Sequence, residues 1–222
     1  VTRALSDLAT LRRKQGRYDE ARTTVERVLE IKTRIMGATH PELAYPLVEI
    51  GMEDMAKGEP AQALSPYRRA LEIRTRALGA EHMLVQEANI RLAGALAALG
   101  RCAEARPLLA TARAALEKID GGEHPFVAAA LTVGGICDLA SGKPEAATAS
   151  LTRALEIEIK AKAPPPDRGS TRWPLARALW AMGQHGAAVT AATTARQELA
   201  GDADGARDLA AVQAWLAAHP RD

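Results

Sequence analysis

The chain has 222 residues, of which 47% are hydrophobic and only 3% aromatic. That apolar content is enough to fold on, and the scarcity of rings points to Ala and Leu buried between closely packed helices. Lys and Arg number 29 against 27 Asp and Glu, a net charge of +2 that exerts no long-range pull on nucleic acid or an anionic membrane.

Along the chain, Gly16, Gly58, Gly100 and Gly142 recur every 42 residues, and Gly183 follows after 41. Each opens a similar phrase: GRYDEA, GEPAQA, GRCAEA, GKPEAA and GQHGAA. Ala21, Ala63, Ala105, Ala147 and Ala188 close these phrases. RVLEIKTRIMG, RRALEIRTRALG and TRALEIEIKA form a second set, and THPELA, EHMLVQ and EHPFVA a third. Several independent phrases at one period are the mark of a repeat array. Between the marks, apolar residues such as Leu43, Leu47 and Ile50 step by three or four, which is the helical beat. Pro41, Pro60, Pro125 and Pro144 sit where helices begin, and the glycines fall at the turns.

The spacing predicts first helices near 2–15, 41–57, 83–99, 125–141 and 171–182. Second helices are predicted near 18–36, 60–78, 102–119, 144–162 and 185–200. A last helix near 204–218, anchored by Leu209 and Trp215, is the cap an array needs. The fold expected is an all-α, right-handed superhelical solenoid of antiparallel helix pairs, about 11 helices. Five pairs span 1–39, 40–81, 82–123, 124–165 and 166–203, and 204–222 is the capping helix and tail. The stretch AKAPPPDRGST at 161–171 reads as a loop and the longest break in the array. Pro66 is deep enough in its helix to predict a bend.

Small residues at Ala9, Gly51, Ala93, Gly135 and Ala176 share one place in the first helices. They let helix axes approach closely, so Gly51→Leu is expected to overpack. The basic cluster Arg12, Arg13, Lys14 and Arg17 suits a helix C-terminus. Two cysteines, Cys102 and Cys137, make neither a disulfide scaffold nor a metal cluster, and buried thiols are the expectation. No run of 18 apolar residues is present to span a membrane.

At these positions the chain resembles a tetratricopeptide repeat (TPR) protein, in the 42-residue form of kinesin light chains and of many bacterial signalling proteins. The small residue, the turn Gly and the Ala of the second helix all map as above, and Val25, Tyr67, Leu109 and Leu151 take the large position that follows. Gly134 and Ala192 depart from the pattern. The resemblance implies a non-catalytic module that binds a peptide or helix in a concave groove lined by the first helices. The outward positions include Thr10 and Arg13 in the first pair and Tyr45, Val48, Glu49, Met52 and Met55 in the second. The candidate groove residues are Val48, Met52, Met55, Ile90, Arg91, Ile136, Trp173, Arg177 and Trp180. The paired Asn of light chains and the Lys and Asn clamp of chaperone-binding relatives are missing from this band, so an apolar peptide or helix is the expected occupant.

His40, His82 and His124 also recur at 42. Zinc needs ligands about 2 Å away, while stacked helices stand roughly 10 Å apart, so helix capping or hydrogen bonding between repeats is the better reading. No nucleophile elbow and no phosphate-binding Gly-rich loop with Lys occur, so no enzyme chemistry, cofactor or metal is expected. A protein or peptide partner is expected, with no nucleic acid and no membrane, in a cytoplasmic setting. The chain opens on Val1 and not Met, which raises a second reading. It is the C-terminal repeat region of a larger bacterial serine/threonine protein kinase, although the kinase signatures are missing from these residues. A third reading is a self-association scaffold.

Overall fold

The computed structural model describes residues 1–219, apart from the side chain of Asp120. Among the described residues there are eleven α-helices and no strand. In chain order they are α1 (Thr2–Lys14), α2 (Tyr18–Met36), α3 (Ala44–Lys57), α4 (Pro60–Leu78), α5 (Met83–Ala98) and α6 (Cys102–Asp120). They continue as α7 (Pro125–Ala140), α8 (Pro144–Lys160), α9 (Pro165–Ala181), α10 (His185–Glu198) and α11 (Ala206–Ala218). A 3-10 turn, Pro41–Leu43, precedes α3. The fold is the expected all-α array of helix pairs. The tail residues 220–222 lie outside the described part of the chain.

The phrase-opening glycines stand at the turns with φ between 69° and 84°, a left-handed backbone that costs glycine nothing. The three periodic histidines are N-caps. Nδ1 of His40, His82 and His124 accepts the amide of the residue two further on, at 3.2, 3.1 and 3.1 Å. Each cap satisfies one of the orphan donors of a helix start. The repeat of the histidines is therefore a repeat of helix starts.

Contacts divide the chain into two compact units, Val1–Ala115 and Leu116–Asp222. In the first unit, Ala9, Val25 and Ile50 form a buried cluster with Leu29 against it. Gly51 of α3 lies against the Tyr67 ring of α4, so an added Cβ would stand 2.3 Å from Tyr67 Cε1. The glycine is there because a ring occupies the place of its side chain. Arg22 of α2 pairs with Asp54, which is 1% exposed. Burial nevertheless raises the Asp54 carboxyl above the usual range, since desolvation outweighs the guanidinium. In α5, Asn89 donates to Gln86, which in turn donates to the Ala80 carbonyl.

In the second unit the same glycine position recurs with a different partner. A Cβ on Gly135 would stand 2.6 Å from Leu151 Cγ. Ala147, Leu151 and Leu155 of α8 pack with Leu175 and Ala178 of α9. Trp173, Ala176, Ala192, Ala195, Leu199 and Val212 join α9, α10 and α11 in one core. Leu209 and Trp215 pack on it as the sequence predicts, and the fully buried Val212 is the anchor that reading missed.

Two expectations are corrected. The loop expected over 161–171 is confined to 161–164, because α9 begins at Pro165 and takes in the last seven of those eleven residues. Prolines 165 and 166 occupy the first turn, where the amides have no helical partner to lose. Gly169 falls inside α9, where Leu199 fills its side-chain space: an added Cβ would stand 2.7 Å from Leu199 Cγ. The cysteines are not buried thiols either, since both Cys102 and Cys137 are disulfide-bonded. The helix α4 runs on through Pro66 from Pro60 to Leu78.

Candidate binding groove

The first helices α1 and α3 lie on either side of a cavity of about 140 Å³ in the first unit. Ala9, Val25 and Met52 supply its apolar lining, and Thr10, Arg13, Glu49 and Glu53 its polar lining. Glu49, Met52 and Glu53 share a face because steps of three and four return to the same side of a helix. Thr10 and Arg13 do the same on α1. The Thr10 hydroxyl is turned onto its own helix, donating to the Ser6 carbonyl at 3.0 Å.

The charges of the cavity are unevenly matched. Arg13 Nε stands 3.6 Å from Glu53 Oε1, and Glu53 is 4% exposed. Glu49 is half-buried, and its carboxyl is raised above the usual range by burial, with Lys32 and Arg13 opposing the rise from a distance. Lys32 is committed elsewhere, donating to Glu42 Oε2 at 2.8 Å. Among the described residues Glu49 forms no hydrogen bond or ion pair of its own. The cavity thus carries two carboxylates and one guanidinium.

Further along the first unit, Arg91 is tied into a network. Its Nε donates to Glu87 Oε1 at 2.7 Å, and Glu87 Oε2 accepts from Arg74 at 3.0 Å. Arg74 also donates to the Leu84 carbonyl at 2.8 Å and sits over the Tyr45 ring. In the second unit, Trp173 is 9% exposed and meets Trp215 edge to face at 5.8 Å. Trp180 stacks on His185 at 4.0 Å and meets Trp215 and His219 at 5.2 and 4.4 Å. His219 stacks on Trp215 at 4.3 Å. These rings are covered by α11.

The tetratricopeptide repeat family model matches residues 1–76 and 84–159. The chain belongs to the tetratricopeptide repeat family. No curated protein matches it. Among solved structures it is similar to the nearly identical TPR-like repeats of a Podosopora anserina kinesin light chain, at 27% identity and a TM-score of 0.66, over 89% of this chain and 94% of that one. A Rap protein complexed with competence and sporulation factor has a TM-score of 0.74 at 17% identity, over 89% of this chain and 53% of that one. PlcR of Bacillus thuringiensis, in complex with the peptide PapR7 and DNA, has a TM-score of 0.69 at 15% identity, over 100% of this chain and 74% of that one. The last two likenesses are of fold.

The repeat register explains where the predicted groove residues stand. Val48, Ile90 and Trp173 occupy one place, three residues before the small position, and are 6%, 6% and 9% exposed. That place is spent on packing, so these three are not open to a partner. Met52, Ile136 and Arg177 share the place just after the small residue; Met52 and Ile136 are half-buried and Arg177 is exposed, lying over the Trp173 ring. Met55 and Trp180 share another and are both half-buried. Of the predicted set, Met52 alone lines the α1–α3 cavity. Glu53 is a cavity residue that sequence reasoning did not single out, although its step of four from Glu49 was visible.

Proposed function

We propose that this repeat array is a non-catalytic interaction module that binds a peptide or helix on the face formed by α1 and α3. The observation that carries the reading is the cavity of about 140 Å³ between these first helices, whose lining mixes Met52, Ala9 and Val25 with side chains of both charges. An apolar wall with a few placed polar groups is the usual composition of a recognition site. The Rap and PlcR structures, each solved with a bound factor or peptide, support a peptide as the class of partner. Fold likeness at such identities is an analogy, so the residues of the cavity bear the weight.

The test is selection from a random peptide display library on the intact chain. The bound peptide is then mapped by hydrogen exchange. Protection is expected in α1 and α3 around Thr10 and Met52. Protection confined to the exposed apolar ends of the second helices, such as Ile35 and Leu78, contradicts the assignment.

A further inference from the structure

We infer that the α1–α3 cavity receives a basic side chain, lysine or arginine, carried by the peptide partner. This rests on the reading of that face as the binding surface and specifies what it selects. Three observations combine. The cavity, about 140 Å³, is close to the roughly 150 Å³ that accommodates one ring-sized group, so it takes a single side chain and not a whole peptide segment. Its walls are divided, with Met52 and Val25 offering apolar surface to a methylene stem and Glu49 and Glu53 offering acceptors to a cationic head.

The charge count is the third observation. Arg13 faces Glu53, and Lys32 is held by Glu42, so among the described residues no side chain hydrogen-bonds to Glu49, and the two cations act on it only through space. A half-buried carboxylate in that position has lost part of its hydration without gaining a hydrogen-bonded partner, and a ligand cation restores the balance. An anionic ligand meets the opposite situation. It would have to separate Arg13 from Glu53 and settle beside Glu49. An ammonium or guanidinium group gains charge-assisted hydrogen bonds in a partly desolvated site. The same unmatched carboxylate disfavours a purely apolar anchor, which would bury Glu49 without pairing it.

The probes are N-acetyl-lysine amide, N-acetyl-arginine amide and N-acetyl-norleucine amide, titrated into the intact chain and followed at the Met52 methyl resonance. Saturable shifts are expected with the lysine or arginine probe and none with norleucine. Glu49→Gln, with an unchanged melting temperature, is expected to weaken the basic probes by about fivefold or more. Equal shifts from norleucine, no saturable shift from either basic probe, or indifference to Glu49→Gln overturns the inference. The display-selected peptides separate this failure from failure of the groove itself. Peptides lost on Met52→Arg but containing no basic residue, or unaffected by Glu49→Gln, overturn the basic-pocket inference and leave the groove standing. Peptides unaffected by Met52→Arg overturn both.

Discussion

The first helices α3 and α9 carry the same repeat positions with opposite outcomes. Around α3, Met52 and Glu49 border an open cavity with α1. Around α9, Trp173 is buried in a core with Leu199 and Val212, and Trp180 lies among His185, Trp215 and His219. The difference is made by α11. A helix with an apolar face, laid on α9 and α10, draws one ring of what repeat register marks as an outward aromatic pair, Trp173, into the core and partly covers the other, Trp180. Register tells which residues share a face, and the neighbouring element decides whether that face is free.

The largest expected effect comes from breaking the cap. Trp173→Ala removes a buried ring and should cost about 3–5 kcal/mol, read by denaturant unfolding. A change below about 1 kcal/mol would mean that Trp173 is an exposed anchor and that α11 does not cover it. On the α3 side the comparable stress is Gly51→Leu, which drives a side chain into the Tyr67 ring. A loss of about 2–3 kcal/mol is expected, and an unchanged melting curve would contradict the Gly51–Tyr67 contact.

A smaller effect is written in pH. Glu158 of α8 is 8% exposed; its Oε1 accepts from the Thr171 hydroxyl at 2.8 Å, and its Oε2 is buried without a hydrogen bond. Burial pushes its carboxyl up to about 7, with Asp167 and Glu198 adding to the rise and Thr171 and Arg172 opposing it. A folded-state value above the unfolded one means the folded protein holds the proton longer. The contribution to stability is greatest below the ordinary carboxylate range, falls as pH rises toward about 7, and is flat beyond it. Glu158→Gln removes that slope. Its melting temperature should be near the parent's at pH 5 and exceed it by about 4 °C at pH 8. A gap independent of pH would show that Glu158 keeps its charge in the folded protein.

Much of this architecture was legible beforehand. The 42-residue period, the turn glycines and the small-residue positions place ten of the helices, because each mark has a local physical cause. The start of α9 was not legible, since three prolines read as a break when two of them open the helix. The site was legible only in part. Thr10, Arg13, Glu49 and Met52 follow from helical periodicity, but the burial of Val48, Ile90 and Trp173 depends on which helix lies alongside. The disulfide-bonded state of Cys102 and Cys137 was not legible either, since Ala-rich helical sequence around a cysteine does not distinguish a thiol from a disulfide.

The contrast between an α1–α3 face that borders a cavity and an α9 face packed under α11 is tested most directly by a paired affinity measurement. A display-selected peptide is titrated against the parent chain, Met52→Arg and Arg177→Glu, with melting temperatures held equal. Arg177 is the right control because it is the exposed member of the same repeat position. Affinity should fall by about tenfold or more for Met52→Arg, which is about 1.4 kcal/mol, and by less than about twofold for Arg177→Glu. The reverse order, with Arg177→Glu weakening the peptide and Met52→Arg leaving it untouched, would contradict the account.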